Sequence, residues 1–348
     1  MSDLLVWVLV AFGMTASAGA MVLVNKRLTR CLDPVATNML VRGVSVVTIA
    51  AISAPLTLLH VWSLTYEITW EAAGYVALIA VVGWFVAQTA YYHALRSGKV
   101  SVVAPLTSTN LLFTALWATA LVGAALGELT VTGLLISAAG IVFIARVQRR
   151  DTVAAEGPDP QQVLVDLEPG GAAGESPVEA TAVHLAEEET APPSRWERSV
   201  PLVVLLALVS AAGWGLGPVL IQLAQESVGG TTVTMILIAQ GLGFLLLVGF
   251  VTARRAPLTA RPLTSGERRR MPRLVLFIGA FEGAYAIGFY LLVQNLGPVL
   301  TAMISATTPV WAIVWGAVLL RERIGLRLGV GIAVTLLGVF LATADKVM

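Results

Sequence analysis

A single cysteine, Cys31, occurs in the whole chain. That excludes an internal disulfide and any multi-cysteine metal site, and leaves Cys31 as a plain small residue. Histidine is nearly as scarce. His60, His93 and His184 lie on different elements without ligand spacing. Charge is thin, at 12% of residues. No glycine-rich phosphate cradle followed by lysine occurs, so ATP hydrolysis has nothing to stand on. The apolar segments hold no cluster of acids for a metal, as a membrane transferase acting on prenyl or phospholipid substrates would need. The sequence therefore argues against an enzyme, and neither a cofactor nor a metal is expected.

Apolar surface is what the chain has in excess. Hydrophobic residues make up 57% and mean hydropathy is +0.83, more than any soluble core requires. A spanning helix needs about 20 mostly apolar residues. Ten such stretches run near 4–24, 34–58, 71–95, 100–123, 130–147, 199–222, 232–252, 273–294, 298–320 and 326–344. They predict an all-α integral membrane protein with ten transmembrane helices. The first stretch carries a cleavage-like Thr15-Ala16-Ser17-Ala18 but lacks a basic start. Lys26, Arg27 and Arg30 follow it instead, which reads as a retained helix.

The ten stretches are five written twice. At a constant offset of 198, Gly19 meets Gly217, Gly43 meets Gly241, Tyr92 meets Tyr290, Thr109 meets Thr307 and Gly140 meets Gly338, with no gap. Five is odd, so the second copy lies upside down relative to the first: two inverted five-helix repeats. The organisation is a first repeat over 1–147, a linker over 148–198 and a second repeat over 199–348. Gly133, Gly140, Gly331 and Gly338 on helices 5 and 10 suit close helix packing or a homodimer contact.

Basic residues set the orientation. Loops 1–2, 3–4, 7–8 and 9–10 and the linker hold 20 of the 22 Lys and Arg. Positive loops stay in the cytoplasm. Both termini are then expected outside, and the linker inside, in the plasma membrane of a prokaryotic cell. The linker holds 11 of the 21 acids, with recurrent Pro and Gly, and reads as a disordered cytoplasmic tether. Arg268-Arg269-Arg270 in loop 7–8 reads as a lipid-headgroup and topology anchor. No aromatics interleave with these arginines, which argues against nucleic acid.

Several motifs carry a family resemblance. Thr308-Pro309-Val310-Trp311 precedes Arg321-Glu322-Arg323-Ile324, Gly331 and Leu337-Gly338-Val339. Arg42 follows Pro34 by eight residues, Tyr91-Tyr92-His93-Ala94-Leu95 closes helix 3, and Trp214-Gly215 lies in helix 6. Their order resembles the EamA-type members of the drug/metabolite transporter superfamily over nearly the whole chain except the linker. The resemblance implies ten helices in two inverted repeats, and a protein that moves small metabolites, often outward, amino acids among them. It implies a central cavity built from helices 1, 3, 4, 6, 8 and 9, with 5 and 10 outside. The first copy departs from the pattern. Leu111 stands opposite Pro309, Ala124 opposite Glu322, and Ala16-Ser17 opposite Trp214-Gly215. The family is also drawn with cytoplasmic termini, opposite to the charge count followed here.

Candidate site residues follow from helical spacing on those helices. Trp84, Gln88 and Tyr91 share one face of helix 3, and Glu282, Tyr285 and Phe289 share one face of helix 8. Helix 4 offers Thr107, Ser108 and Asn110; helix 9 offers Ser305, Thr307, Thr308 and Trp311; helix 6 offers Trp214. The substrate-binding set is Glu282, Trp84, Gln88, Tyr91, Asn110, Trp214, Tyr285, Thr308 and Trp311. Each has a plainer reading: Ser and Thr bond their own backbone, while Tyr91, Tyr92, Tyr290 and His93 mark the membrane interface. Arg42 either pairs with a charge or, the plainer outlet, reaches back to the cytoplasmic surface. Glu282 is the only acid well inside an apolar segment. It can bind a substrate amino group, exchange a proton, or sit protonated against a neighbouring helix. The expected function is a secondary transporter exporting a small polar or amphipathic metabolite, such as an amino acid, by alternating access. Inverted repeats around a polar, aromatic midplane favour this over a channel. The alternatives are an exporter of cationic or aromatic toxic compounds, and a membrane scaffold signalling through the linker.

Overall fold

Inside a bilayer the backbone must satisfy its own N–H and C=O groups, and long apolar runs do so as helices. The computed structural model describes residues 2–59, 69–97, 100–155, 200–228, 232–255, 257–320 and 325–347, and these contain helices and no strand. The first half has α1 (Ser2–Cys31), α2 (Pro34–Leu58) and α3 (Trp70–Leu78), which continues through π-helical Ile79–Ala87 into α4 (Gln88–Ser97). Then come α5 (Val100–Thr107), α6 (Asn110–Trp117) with a π-helical end at Ala118–Val122, and α7 (Glu128–Ala155). The second half has α8 (Val200–Val228), α9 (Thr232–Arg254), α10 (Ser265–Leu296), α11 (Pro298–Ser305), α12 (Thr308–Leu320) and α13 (Leu326–Val347). Helix occupies every predicted stretch. Seven segments are long and apolar enough to cross a membrane, and the others, 110–122, 128–144 and 329–342, are shorter apolar helices.

The two halves repeat in detail. The fourth and ninth stretches both break into two helices, at Ser108–Thr109 and at Ala306–Thr307, positions 198 apart. Proline alone does not explain this, since Leu111 replaces Pro309 in the first copy. Thr109 and Thr307 do: each hydroxyl donates to the carbonyl three residues back, Leu106 and Ile304, at 2.7 Å. Each backbone N–H bonds the same carbonyl, at 3.2 and 3.0 Å. The tightened turn ends one helix and starts the next. The halves also run in opposite senses, because the start of α2 lies beside the end of α9, its counterpart.

That meeting forms a small joint at the basic end. The Asp33 N–H donates to the Leu258 carbonyl at 3.2 Å and the Ala260 N–H to the Cys31 carbonyl at 3.0 Å, pairing Leu32 with Thr259. Asp33 also caps α2, accepting from the Val35 N–H at 3.0 Å, with Pro34 at the first helical position. It lies 3.8 Å from Arg96, while Lys26 donates to the Leu95 carbonyl. Nearby, Thr264 and Glu267 form a capping box at the start of α10, and Arg261 pairs with Glu267 at 2.5 Å. α10 thus begins eight residues before the predicted 273. Arg268, Arg269 and Arg270 are exposed on its first turns rather than in a loop.

α7 and α13 pack tightly against each other. The Ser137 hydroxyl donates to the carbonyl of Thr335, its own repeat-mate, at 3.1 Å. A Cβ on Gly140 would stand 2.7 Å from the Thr335 nitrogen, and one on Gly338 2.5 Å from the Ser137 nitrogen. These glycines serve close packing within the chain. α7 also runs to Ala155, eight residues into the expected linker; residues 156–199, with most of the linker, and the Arg321–Ile324 motif lie outside the described residues. We expect Gly338→Ala to destabilise the protein by about 1–3 kcal/mol, because a backbone atom blocks the new methyl. Thermal unfolding in detergent checks this against Gly249→Ala, whose methyl would meet nothing within 4 Å.

Candidate functional site

A cavity of about 240 Å³ opens between the repeats. Its walls come from α1, the α3–α4 helix with its π segment, α5, α6, α8, α10, α11 and α12, with Arg42 reaching in from α2. In the six-helix scheme expected from the sequence these are helices 1, 3, 4, 6, 8 and 9. Among the described residues α7 and α13 contribute none to the lining. Eight of the nine candidate substrate residues line it: Trp84, Gln88, Tyr91, Asn110, Trp214, Glu282, Tyr285 and Thr308. Trp311 is not part of the lining. Its side chain packs on α1, where a Cβ at Gly19 would stand 2.7 Å from the Trp311 Cβ.

Of the two outlets read from the sequence for Arg42, the surface is the one the fold denies it. It does not reach the surface; it is fully buried. Its Nη1 donates to Oε1 of Gln240, its repeat-mate. Its Nη2 is 3.7 Å from the Glu282 carboxylate, and its guanidinium lies 4.0 Å above the Trp84 ring. Burial of an unpaired guanidinium is costly, so a local carboxylate, an amide and an indole face together replace water. The Tyr92 hydroxyl donates to the other Glu282 oxygen at 3.0 Å. Glu282 is therefore held between a cation and a phenol, with 17% of its side chain exposed. Its repeat-mate Trp84 receives the other face of the same arginine. The cluster thus gathers three repeat pairs, Arg42 with Gln240, Glu282 with Trp84, and Tyr92 with Tyr290. Tyr92 and Tyr290 are buried at 0% and 1% exposure, not placed at an interface.

The π-helical segment positions Trp84. A helix one residue wider per turn leaves a carbonyl for an outside donor, and Asn38 Nδ2 donates to the Trp84 carbonyl at 2.8 Å and to Thr89 Oγ1 at 3.0 Å. On the walls, Tyr91 and Trp214 rings are 4.8 Å apart, and Phe281, Tyr285 and Phe289 form a ladder with successive centroids 6.0 Å apart. Thr107 bonds the Val103 and Ala104 carbonyls, and Thr308 that of Ser305 at 2.6 Å, so these hydroxyl protons serve their own helices. Unpaired buried atoms of both kinds belong to lining residues: the acceptors Asn25 Oδ1 and Asn110 Oδ1, and the donors Arg42 Nε and Trp84 Nε1. Asn25, Tyr92 and Gln240 fell outside the sequence-derived set. The offset could have found Gln240, since it is the residue opposite Arg42. Among the described residues no group of His, Cys, Asp and Glu could hold a metal ion.

The model of the EamA-like transporter family matches residues 5–146 and again 201–344. The crystal structure of another protein aligns over 97% of this chain and 98% of its own, with TM-score 0.60 and 16% identity. At that identity the likeness shows the fold alone. No curated protein matches the chain.

Proposed function

The chain belongs to the EamA-like transporter family, which makes it a multi-pass membrane transporter of the drug/metabolite superfamily, and from that premise we propose that it exports a small amphipathic metabolite bearing an amino group. Transport would be secondary, by alternating access of the inverted repeats. Nothing in that family points to catalysis. The observation that carries the reading is the acceptor set of the cavity. Glu282, Asn25 and Asn110 line one space, and the two amide oxygens accept no hydrogen bond, while Arg42 Nε and Trp84 Nε1 are unpaired donors left for an acceptor on the same ligand. Buried acceptors rarely stay unpaired, and an ammonium group supplies three donors. The aromatic walls suit an apolar body attached to that group. They also favour the second reading, a cationic or aromatic toxic compound. The loop charges support a cytoplasmic basic end and termini on the far side, in a prokaryotic inner membrane.

The test compares metabolites released by cells carrying the wild type, Glu282→Gln or no copy. Gln keeps the shape and removes the charge. We expect release of an amine-bearing compound to rise with the wild type and to fall at least tenfold with Glu282→Gln at equal protein level. Release that persists unchanged in rate and pH dependence would reduce Glu282 to a structural residue and sink the reading.

A further inference from the structure

Three glycines line the cavity: Gly83, Gly213 and Gly217. Gly213 is explained by packing, because a Cβ there would stand 2.7 Å from the Ala87 Cβ. The other two are not. A Cβ at Gly83 or at Gly217 meets nothing within 4 Å. Neither has the positive φ that would require glycine; among the described glycines only Gly123 and Gly297 do. Both lie inside helices, where glycine is less favourable than alanine. Gly83 is moreover buried, so the emptiness beside it is the cavity and not the outer surface.

Gly19, the mate of Gly217, has Trp311 against it. The mate of Gly83 is Phe281, which also lines the cavity and begins the Phe281–Tyr285–Phe289 ladder. The same repeat position thus carries a phenyl ring on α10 and no side chain on the π segment. The asymmetry leaves bare backbone where the pseudo-symmetric counterpart is aromatic.

We infer that Gly83 and Gly217 are the specificity-determining positions that set how large an apolar body the cavity accepts. This rests on the amine reading above and adds to it a steric limit. A methyl at either position would enter the cavity without meeting a packed neighbour, and larger side chains there would exclude ligands from the large end first.

Full-length protein in nanodiscs, titrated calorimetrically with 2-phenylethylamine and with tryptamine, tests this. The two probes share the primary amine and differ in ring size. Wild type should bind both. Gly83→Val and Gly217→Val should raise the tryptamine Kd at least tenfold more than the 2-phenylethylamine Kd. Gly249→Val, outside the cavity, should change neither. Where a valine variant fails to give a monodisperse protein, the alanine variant at the same position is read the same way, with a threefold difference expected. Equal weakening of both amines, or no change in either, overturns the inference. If the wild type binds and Glu282→Gln abolishes binding while the glycine variants are indifferent, the amine reading stands and the steric one falls. A wild type that binds neither probe ends both.

Discussion

Replacing Arg42 with alanine is expected to cost the protein a large share of its stability. The substitution leaves the Glu282 carboxylate facing only the Tyr92 hydroxyl, and leaves Gln240 Oε1 without its donor. Removing one partner of a buried pair costs about 3–5 kcal/mol, a large share of what holds a protein together. The 3.7 Å contact is a charge contact rather than a hydrogen bond, so it is the loss of the counter-charge that matters. The double variant Arg42→Gln with Glu282→Gln removes both charges and should recover most of the stability, but not transport. Arg42→Lys should recover little, since a single ammonium cannot reach Gln240, face Glu282 and cover the Trp84 ring together. Thermal unfolding followed by size-exclusion of the single and double variants decides the matter. An Arg42→Ala protein as stable as wild type would show that α2 does not depend on this cluster.

Tying Leu32 to Thr259 should stop transport outright. Alternating access requires the two repeats to part at each end in turn, and the joint at the basic end links one loop from each. Leu32 and Thr259 are a non-hydrogen-bonded antiparallel pair, bracketed by the Asp33–Leu258 and Ala260–Cys31 bonds. Such pairs bring Cα atoms to about 4.5 Å, within the roughly 4.4–6.8 Å a disulfide spans. Leu32→Cys with Thr259→Cys, in a Cys31→Ser background, should therefore oxidise readily. Release of substrate should fall at least tenfold on oxidation and return on reduction. Thr259→Cys alone should react with an impermeant thiol reagent in inside-out vesicles and not in whole cells, which tests the orientation as well. Wild-type release with the bond formed would show that this joint stays closed through the cycle. The matching joint at the other end would fall on residues 61 and 230, outside the described residues.

The features that hydropathy and period control were legible in the sequence. The offset of 198, the odd number of stretches and the face shared by Trp84, Gln88 and Tyr91 all depend on spacing along one chain. So did the depth of Glu282. What escaped depends on what stands across a gap. For Arg42 the surface was the plainer of two outlets because a lone helix offers no partner; its partners come from α9, α10 and the π segment. The break at Thr109 was hidden because proline is the familiar cause, while a hydroxyl bonding three residues back leaves no such mark. Trp311 has the right helix and height for the cavity, but its rotation about the helix axis is fixed by Gly19, two hundred and ninety-two residues earlier in the chain. The joint at the basic end joins loops in which periodicity says nothing.

The hydrogen bond from Arg42 to Gln240 bears on how such a chain can be encoded. A residue that touches its own repeat-mate would, in an antiparallel dimer of identical five-helix units, touch its own copy. Two arginines there would repel in the absence of water; two glutamines would bond but leave Glu282 and its copy with no cation. The arrangement found, one guanidinium, one amide, one carboxylate and one indole, cannot be made by a single unit meeting itself. It requires two halves free to mutate separately, as tandem fusion in one polypeptide allows. The centre of this protein is thus a heterodimer interface folded into one gene product, and splitting the chain in the linker should yield halves that assemble with each other but not with themselves.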